Sequence, residues 1–166
     1  ILTFLGVYVV LSMIYGFYLR TAASETYYPE YITHQVAVQS EWLVNFLGYD
    51  ASIAPHPDEA SMKLNVENVF VARIVEGCNA ISVIILFIAF VVAFFQGWRA
   101  TLFFVLGGSL LIYLINIVRI AILSIGFYKY PEHKMILHDI VFPGIIYGLV
   151  IVLWLLWVRN FKKQRL

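Results

Sequence analysis

The chain has 166 residues, of which 62% are hydrophobic and 13% charged, against roughly 45–50% and 25% in an ordinary soluble domain. One globule of this size cannot hide that much apolar surface, which argues against a water-soluble domain and against disorder. A net charge of +1 leaves no polycationic face for nucleic acid, and a single cysteine rules out an internal disulfide framework or a multi-cysteine zinc site.

In chain order, residues 1–19 form an uncharged apolar run with neither the basic leader nor the small-residue cleavage pattern of a signal peptide, so they read as a first span. A polar insert follows at residues 20–77, with eight acids and three bases. Inside it Ile32, Val36, Leu43, Phe46 and Leu47 recur at near-helical spacing and Gly48 supplies a stop, which predicts an amphipathic helix. Pro55 and Pro57 mark a turn. Met62, Leu64 and Val66 then alternate with Lys63, Asn65 and Glu67, and a second run follows Glu67-Asn68, which predicts a short hairpin packed on the outer membrane face. Residues 79–97, 100–127 and 140–158 are three further apolar runs near the ~20 residues that cross a ~30 Å hydrocarbon layer. Lipid forces such runs to satisfy their backbone groups internally, as helices.

Residues 159–166 form a basic tail with Arg159, Lys162, Lys163 and Arg165, which belongs on the cytoplasmic side by the positive-inside rule. Counting back over four crossings puts the chain start inside, the insert outside, the Trp98-Arg99 turn inside and residues 128–139 outside. Lys129 and Lys134 on the outside are a mild dissent. The predicted fold is therefore a single all-α membrane domain. It has about four transmembrane helices and an extracytoplasmic insert, an amphipathic helix plus a small β-hairpin, between the first and second.

The chemistry must come from polar groups where lipid disfavours them. Arg119 sits in an otherwise nearly apolar run, where a guanidinium either faces a bundle interior with a partner or snorkels to the interface. Asn116 lies one turn earlier on the same face, placed to orient it. Arg119 is 20 residues beyond Arg99, Cys78 is 21 residues before Arg99, and His138 is 21 residues before Arg159. At 1.5 Å per residue each count amounts to ~30 Å, so three helices deliver a thiol, a guanidinium and an imidazole to one level. Gly77-Cys78-Asn79-Ala80 reads as a helix start, where the macrodipole favours a thiolate. Asp139 is placed to cap the last helix, and Pro143 frees the carbonyl of Asp139 and bends that helix near the site. One Cys and one His are too few for a closed zinc centre, so no metal and no cofactor are expected. A nucleophile, an acid/base and a cation are the parts of acyl transfer.

Three motifs carry a resemblance. Glu76-Gly77-Cys78-Asn79-Ala80-Ile81-Ser82 opens one span, Asn116-Ile117-Val118-Arg119-Ile120-Ala121 lies inside the next, and His138-Asp139-Ile140-Val141-Phe142-Pro143-Gly144 opens the last. In order and spacing, over about residues 70–150, this resembles the exosortase/archaeosortase family, and within it the short exosortase branch called XrtF of gliding-type Gram-negative bacteria. The resemblance implies a membrane cysteine peptidase or transpeptidase with Cys78, Arg119 and His138 as catalytic residues. We place Asn116, Asn79 and Asp139 beside them in support. It also implies substrate proteins with a C-terminal sorting tail (a short motif, a transmembrane helix and a basic cluster), which are cleaved and transferred to an acceptor. The expected setting is the bacterial inner membrane, in contact with lipid, with the site facing the periplasm. The residues themselves leave an alternative, a non-catalytic assembly partner or small permease subunit in which Arg119 and His138 pair across helices or line a polar path. A permease wants polar residues along several helices, and residues 79–97 are nearly all apolar below Ser82.

Overall fold

The computed structural model describes residues 1–22 and 28–163, with backbone alone for residues 139, 142 and 160–163. The chain runs α1 (Leu2–Thr21), α2 (Tyr31–Phe46), β1 (Ala51–Pro55), β2 (Met62–Val66), β3 (Val69–Ile74), a 3₁₀ turn (Glu76–Cys78), α3 (Ile81–Ala93) and α4 (Trp98–Lys129). A 3₁₀ turn (Pro131–His133), one helical turn α5 (Lys134–Ile136) and a π turn (Leu137–Val141) then lead into α6 (Phe142–Lys163). The protein is mostly helical, with one small sheet. Among the described residues, α1 and α4 are by length and composition the two helices able to cross a membrane, while α3 and the Pro143–Arg159 stretch of α6 are shorter apolar helices.

The axis of the structure is α4. Its 32 residues rise ~48 Å, well beyond the ~30 Å of a hydrocarbon layer. The two halves of the helix serve two different cores. Towards its start it packs with α3 and α6, where Phe87, Val91, Ile112, Val150, Leu153 and Trp157 are buried together. Towards its end Ile120, Ala121, Leu123 and Phe127 are buried against α2 and the sheet, with Val36, Val44, Leu64, Val66 and Ile74. Arg119 stands where one core gives way to the other.

The helix α2 forms as the spacing predicts, with Gly48 just past its end at φ +91°, a conformation that favours glycine. Its inward face differs from the predicted one. Thr33, Val36, Ala37, Ser40 and Val44 are buried, whereas Phe46 is 73% exposed and Leu47 48%. Of the five residues expected to form the apolar stripe, only Val36 is fully buried. The buried face of α2 is built from small and hydroxyl side chains and two valines rather than from its largest apolar groups.

The predicted hairpin is present as β2 and β3, with Met62, Leu64 and Val66 buried. Glu67 and Asn68, both at positive φ, make its two-residue turn, as type I′ geometry requires. A third strand was not predicted. β1 pairs antiparallel with β2 from Ala51 opposite Val66 to Pro55 opposite Met62, giving the order β1-β2-β3. Pro55, read as part of a turn, closes an edge strand, where its missing N–H costs no ladder bond. The Asn45 side chain sets that strand at the end of α2, accepting from Ala51 N at 2.7 Å and donating to Ala51 O at 3.2 Å.

At the other end of the molecule the connection is residues 94–97, not Trp98-Arg99, which already belong to α4. Gly97 at φ +93° turns the chain. Trp157 of α6 ties the turn down, donating from Nε1 to Phe94 O at 2.9 Å and accepting from Gln96 Nε2 at 2.7 Å.

Candidate active site

The turn that carries the thiol is held from two sides. Cys78 ends the Glu76–Cys78 turn and is half-buried. The fully buried Asn116 donates from Nδ2 to the Cys78 carbonyl at 2.7 Å, tying this turn to α4. Asn116 was expected to orient the guanidinium three residues on; the bond the structure gives it is to the backbone of the thiol-bearing residue. The turn is also separate from the helix after it. Ala80 at φ +65° breaks the chain direction and α3 begins at Ile81, so Cys78 is not in the first turn of α3 and the macrodipole argument weakens accordingly. The level count needs the same correction. The 13 residues of α3 rise only ~20 Å, so the 21 residues between Cys78 and Arg99 are not one rod of helix.

Packing brings two of the three residues to one place. Cys78 and His138 line one small cavity, about 50 Å³, together with Arg73, Ser124, Leu123 and Phe127. His138 reaches it from the π turn, on an exposed stretch of backbone just ahead of α6. Pro143 has no N–H to donate to the carbonyl of residue 139, and the wider turn lies directly before it. The side chain of Asp139, expected to cap this helix, lies outside the described residues. Arg119 is half-buried on α4 and lines a second, larger groove of about 400 Å³ with Val118, Ile122, Leu137, Val141 and Ile145. Leu123 forms part of both walls, so the groove and the small cavity are neighbours. The Arg119 guanidinium is within electrostatic reach of Cys78 and of Tyr147. Among the described residues no three His, Cys, Asp or Glu side chains gather as a metal site.

Sequence reasoning missed a polar knot behind Cys78. Glu30, Thr33 and Asn79 are each at most 1% exposed. The Glu30 carboxylate accepts from Tyr18 Oη at 2.9 Å, Ile32 N at 2.7 Å and Thr33 N at 2.8 Å, and also from the Thr33 hydroxyl. Asn79 Nδ2 donates to Tyr15 Oη at 2.7 Å and Thr33 Oγ1 at 3.2 Å, and lies 3.4 Å from Glu30 Oε1. Its Oδ1 accepts from Ile81 N at 3.0 Å and so caps α3. An acid directly before an amphipathic helix was the only signal in the sequence, and glutamate is not among the favoured N-caps.

Burial alone would raise the Glu30 carboxyl pKa, but the hydrogen bonds from Thr33, Tyr18 and Ile32 outweigh it and hold it below its ordinary 4.5. The sign follows directly. Its contribution to stability is complete above the ordinary value and is lost as pH falls through the lower folded-state value. Thermal midpoints in detergent should therefore drop below about pH 4 in the parent, and Glu30→Gln should flatten that limb of the curve. An unchanged acid limb in Glu30→Gln would assign the loss to other carboxylates.

Long apolar helices, one large enough to bury a core at each end, and a thiol, an imidazole and a guanidinium around adjoining cavities define a helical membrane protein with a candidate site in its packed half. The family model for transmembrane exosortases (Exosortase_EpsH) matches residues 2–158, nearly the whole chain, and the chain belongs to that family. No curated protein and no solved structure matches it.

Proposed function

We propose that this exosortase-family protein is a membrane cysteine peptidase or transpeptidase that cleaves C-terminal sorting tails, with Cys78 as nucleophile, His138 as acid/base and Arg119 as charge stabiliser. The observation that carries the reading is the single cavity shared by Cys78 and His138, with Arg119 on the adjoining wall. His138 takes the thiol proton as Cys78 Sγ attacks the scissile carbonyl carbon. Arg119 faces the negative charge on sulfur or on the tetrahedral oxyanion. The C–N bond breaks, His138 protonates the departing amine, and a thioester remains. Water or an acceptor nucleophile then attacks that thioester, giving its proton to His138, and the thiol is regenerated. Asn116 and Asn79 fix the Cys78 turn in this scheme.

The larger groove supports a substrate that arrives through lipid. Its wall residues Ile122, Ile145 and Val118 are 60%, 45% and 43% exposed, apolar surface of the kind a transmembrane segment covers. A sorting tail with a hydrophobic helix can slide along α4 and present its upstream peptide bond to the small cavity. In this reading four segments cross the bacterial inner membrane, both ends are cytoplasmic, and the segment between α1 and α3 lies in the periplasm with the site.

Two experiments follow. Cysteines placed at Asp58 and at Lys163 in a Cys78→Ala background should label from outside and from inside respectively; labelling of Lys163→Cys from outside would reverse the orientation. Gel-shift processing of a co-expressed tailed substrate tests the roles. Arg119→Lys should lose most activity, since an ammonium lacks the planar fork. His138→Ala should slow turnover by ~10²–10⁴ with little change in binding. A His138→Ala variant that processes normally would remove histidine from the scheme.

A further inference from the structure

We propose that Glu30 is a positioning residue for the nucleophile: acting through Thr33 and Asn79, it fixes the turn that carries the Cys78 thiol. The proposal rests on the reading of Cys78 as nucleophile. The Glu76–Cys78 turn has little rigidity of its own. It is one 3₁₀ turn, closed by Cys78 N to Val75 O at 2.8 Å and Asn79 N to Glu76 O at 3.3 Å. The left-handed Ala80 directly after it, at φ +65°, is a conformation that a non-glycine residue keeps only where its surroundings impose it. Asn116 grips the Cys78 carbonyl from α4. Asn79, the next residue, is gripped from α1 and α2.

The direction of the bonds in that second grip is set by Ile81 N at one end and by the carboxylate at the other. Ile81 N needs an acceptor, so Asn79 turns its Oδ1 toward it. Asn79 Nδ2 must then face acceptors. A carboxylate accepts only, so the Thr33 hydroxyl gives its proton to Glu30 and keeps a lone pair for Asn79. The relay runs from Asn79 through Thr33 to Glu30, all within the buried interior. A glutamine at position 30 presents an amide NH₂ to part of this set of donors. Thr33 then has to turn, and Asn79 loses one of its two hydroxyl acceptors, keeping Tyr15. Glu30 lines neither the small cavity nor the groove, so it works on the thiol only through Asn79.

Cys78 is the only cysteine in the chain, so alkylation of the purified protein in detergent reads that thiol alone. The experiment measures the iodoacetamide rate of Cys78 against pH, the kcat and KM of tail processing, and thermal midpoints. The variants are Glu30→Gln, Glu30→Asp, Asn79→Ala and Tyr15→Phe, with Val91→Ala in the other core as a control for lost stability. Glu30→Gln and Asn79→Ala should lower kcat ~10-fold or more with KM within about twofold, as expected for a misplaced reacting group. The same two variants should shift the alkylation profile, and Glu30→Asp should restore part of both. Tyr15→Phe removes one acceptor of Asn79 and keeps the ring, so it should move both readouts in the same direction and less, which preserves the test if Glu30→Gln does not fold. A parental kcat and a parental alkylation profile in Glu30→Gln and in Tyr15→Phe, or an equal shift in Val91→Ala, would overturn the proposal. If Cys78→Ala still processes substrate, the nucleophile reading fails; the alkylation profile then decides the positioning role by itself.

Discussion

Cys78→Ala is expected to abolish processing while the protein still folds and inserts. The side chain is small, half-buried and at the end of a one-turn segment, so its loss removes little packing. The chemical loss is complete, because Asn116 holds the Cys78 carbonyl and every backbone bond of the turn survives the change. Only the sulfur goes. Cys78→Ser is expected to be nearly as inactive, since a serine hydroxyl stays protonated where a thiol can ionise. Expression and thermal midpoint near parental, with no gel shift of substrate, is the expected pattern. Processing at the parental rate in Cys78→Ala would remove the nucleophile and leave the non-catalytic reading in its place.

Gly108→Ala is expected to destabilise the contact between α3 and α4. A Cβ on Gly108 would stand 2.3 Å from Phe87 Cζ and 2.6 Å from its Cε1. Phe87 cannot step aside freely, because it is 0% exposed and packed with Phe104 at a centroid separation of 5.8 Å. Overpacking of a filled core costs typically ~1–3 kcal/mol. Phe87→Ala should cost about 3–5 kcal/mol by the opposite route, an unfilled cavity. Combining Gly108→Ala with Phe87→Leu should recover part of the first loss, because the two side chains compete for one space. Additive losses in detergent melts would show that α3 and α4 are not in this contact.

The same contact bears on what a sequence can disclose. α4 is legible as a long apolar run, but nothing in its residues says that Gly108 exists for a phenylalanine on α3. Long-range complementarity of this kind has no periodic signature. Periodicity served well where one face meets water, as in Met62, Leu64 and Val66 of β2. It misled on α2, where Ile32, Leu43, Phe46 and Leu47 look like the inward stripe yet Thr33, Ala37 and Ser40 are the buried contacts. β1 was missed because Ala51, Ser52 and Ala54 have weak strand preference and Pro55 signals a turn; pairing with β2 decided its conformation.

The candidate site was legible in kind rather than in construction. Cys78, Arg119 and His138 stood out as the thiol and the charged or titratable groups bordering apolar runs, and the structure places Cys78 and His138 on one cavity with Arg119 on the next. The equal residue counts that suggested it were partly fortuitous, since α3 is only 13 residues long. The supports were legible only as residue types. Asn116 bonds the Cys78 backbone, and the Glu30, Thr33 and Asn79 knot, with Tyr15 and Tyr18, joins three separated parts of the chain. Sequence separations of 38 and 49 residues lie between those partners. No local pattern spans such distances.

The central claim is that Cys78 carries the substrate as a thioester. The most direct measurement adds hydroxylamine to purified protein and a tailed substrate and determines the new C-terminus of the cleaved product by mass. A thioester is open to attack by hydroxylamine as well as by water or the natural acceptor, so the predicted product ends in a hydroxamate, and it forms in the parent and not in Cys78→Ala. A product that ends only in a carboxylate at every hydroxylamine concentration, formed equally by Cys78→Ala, would contradict the account.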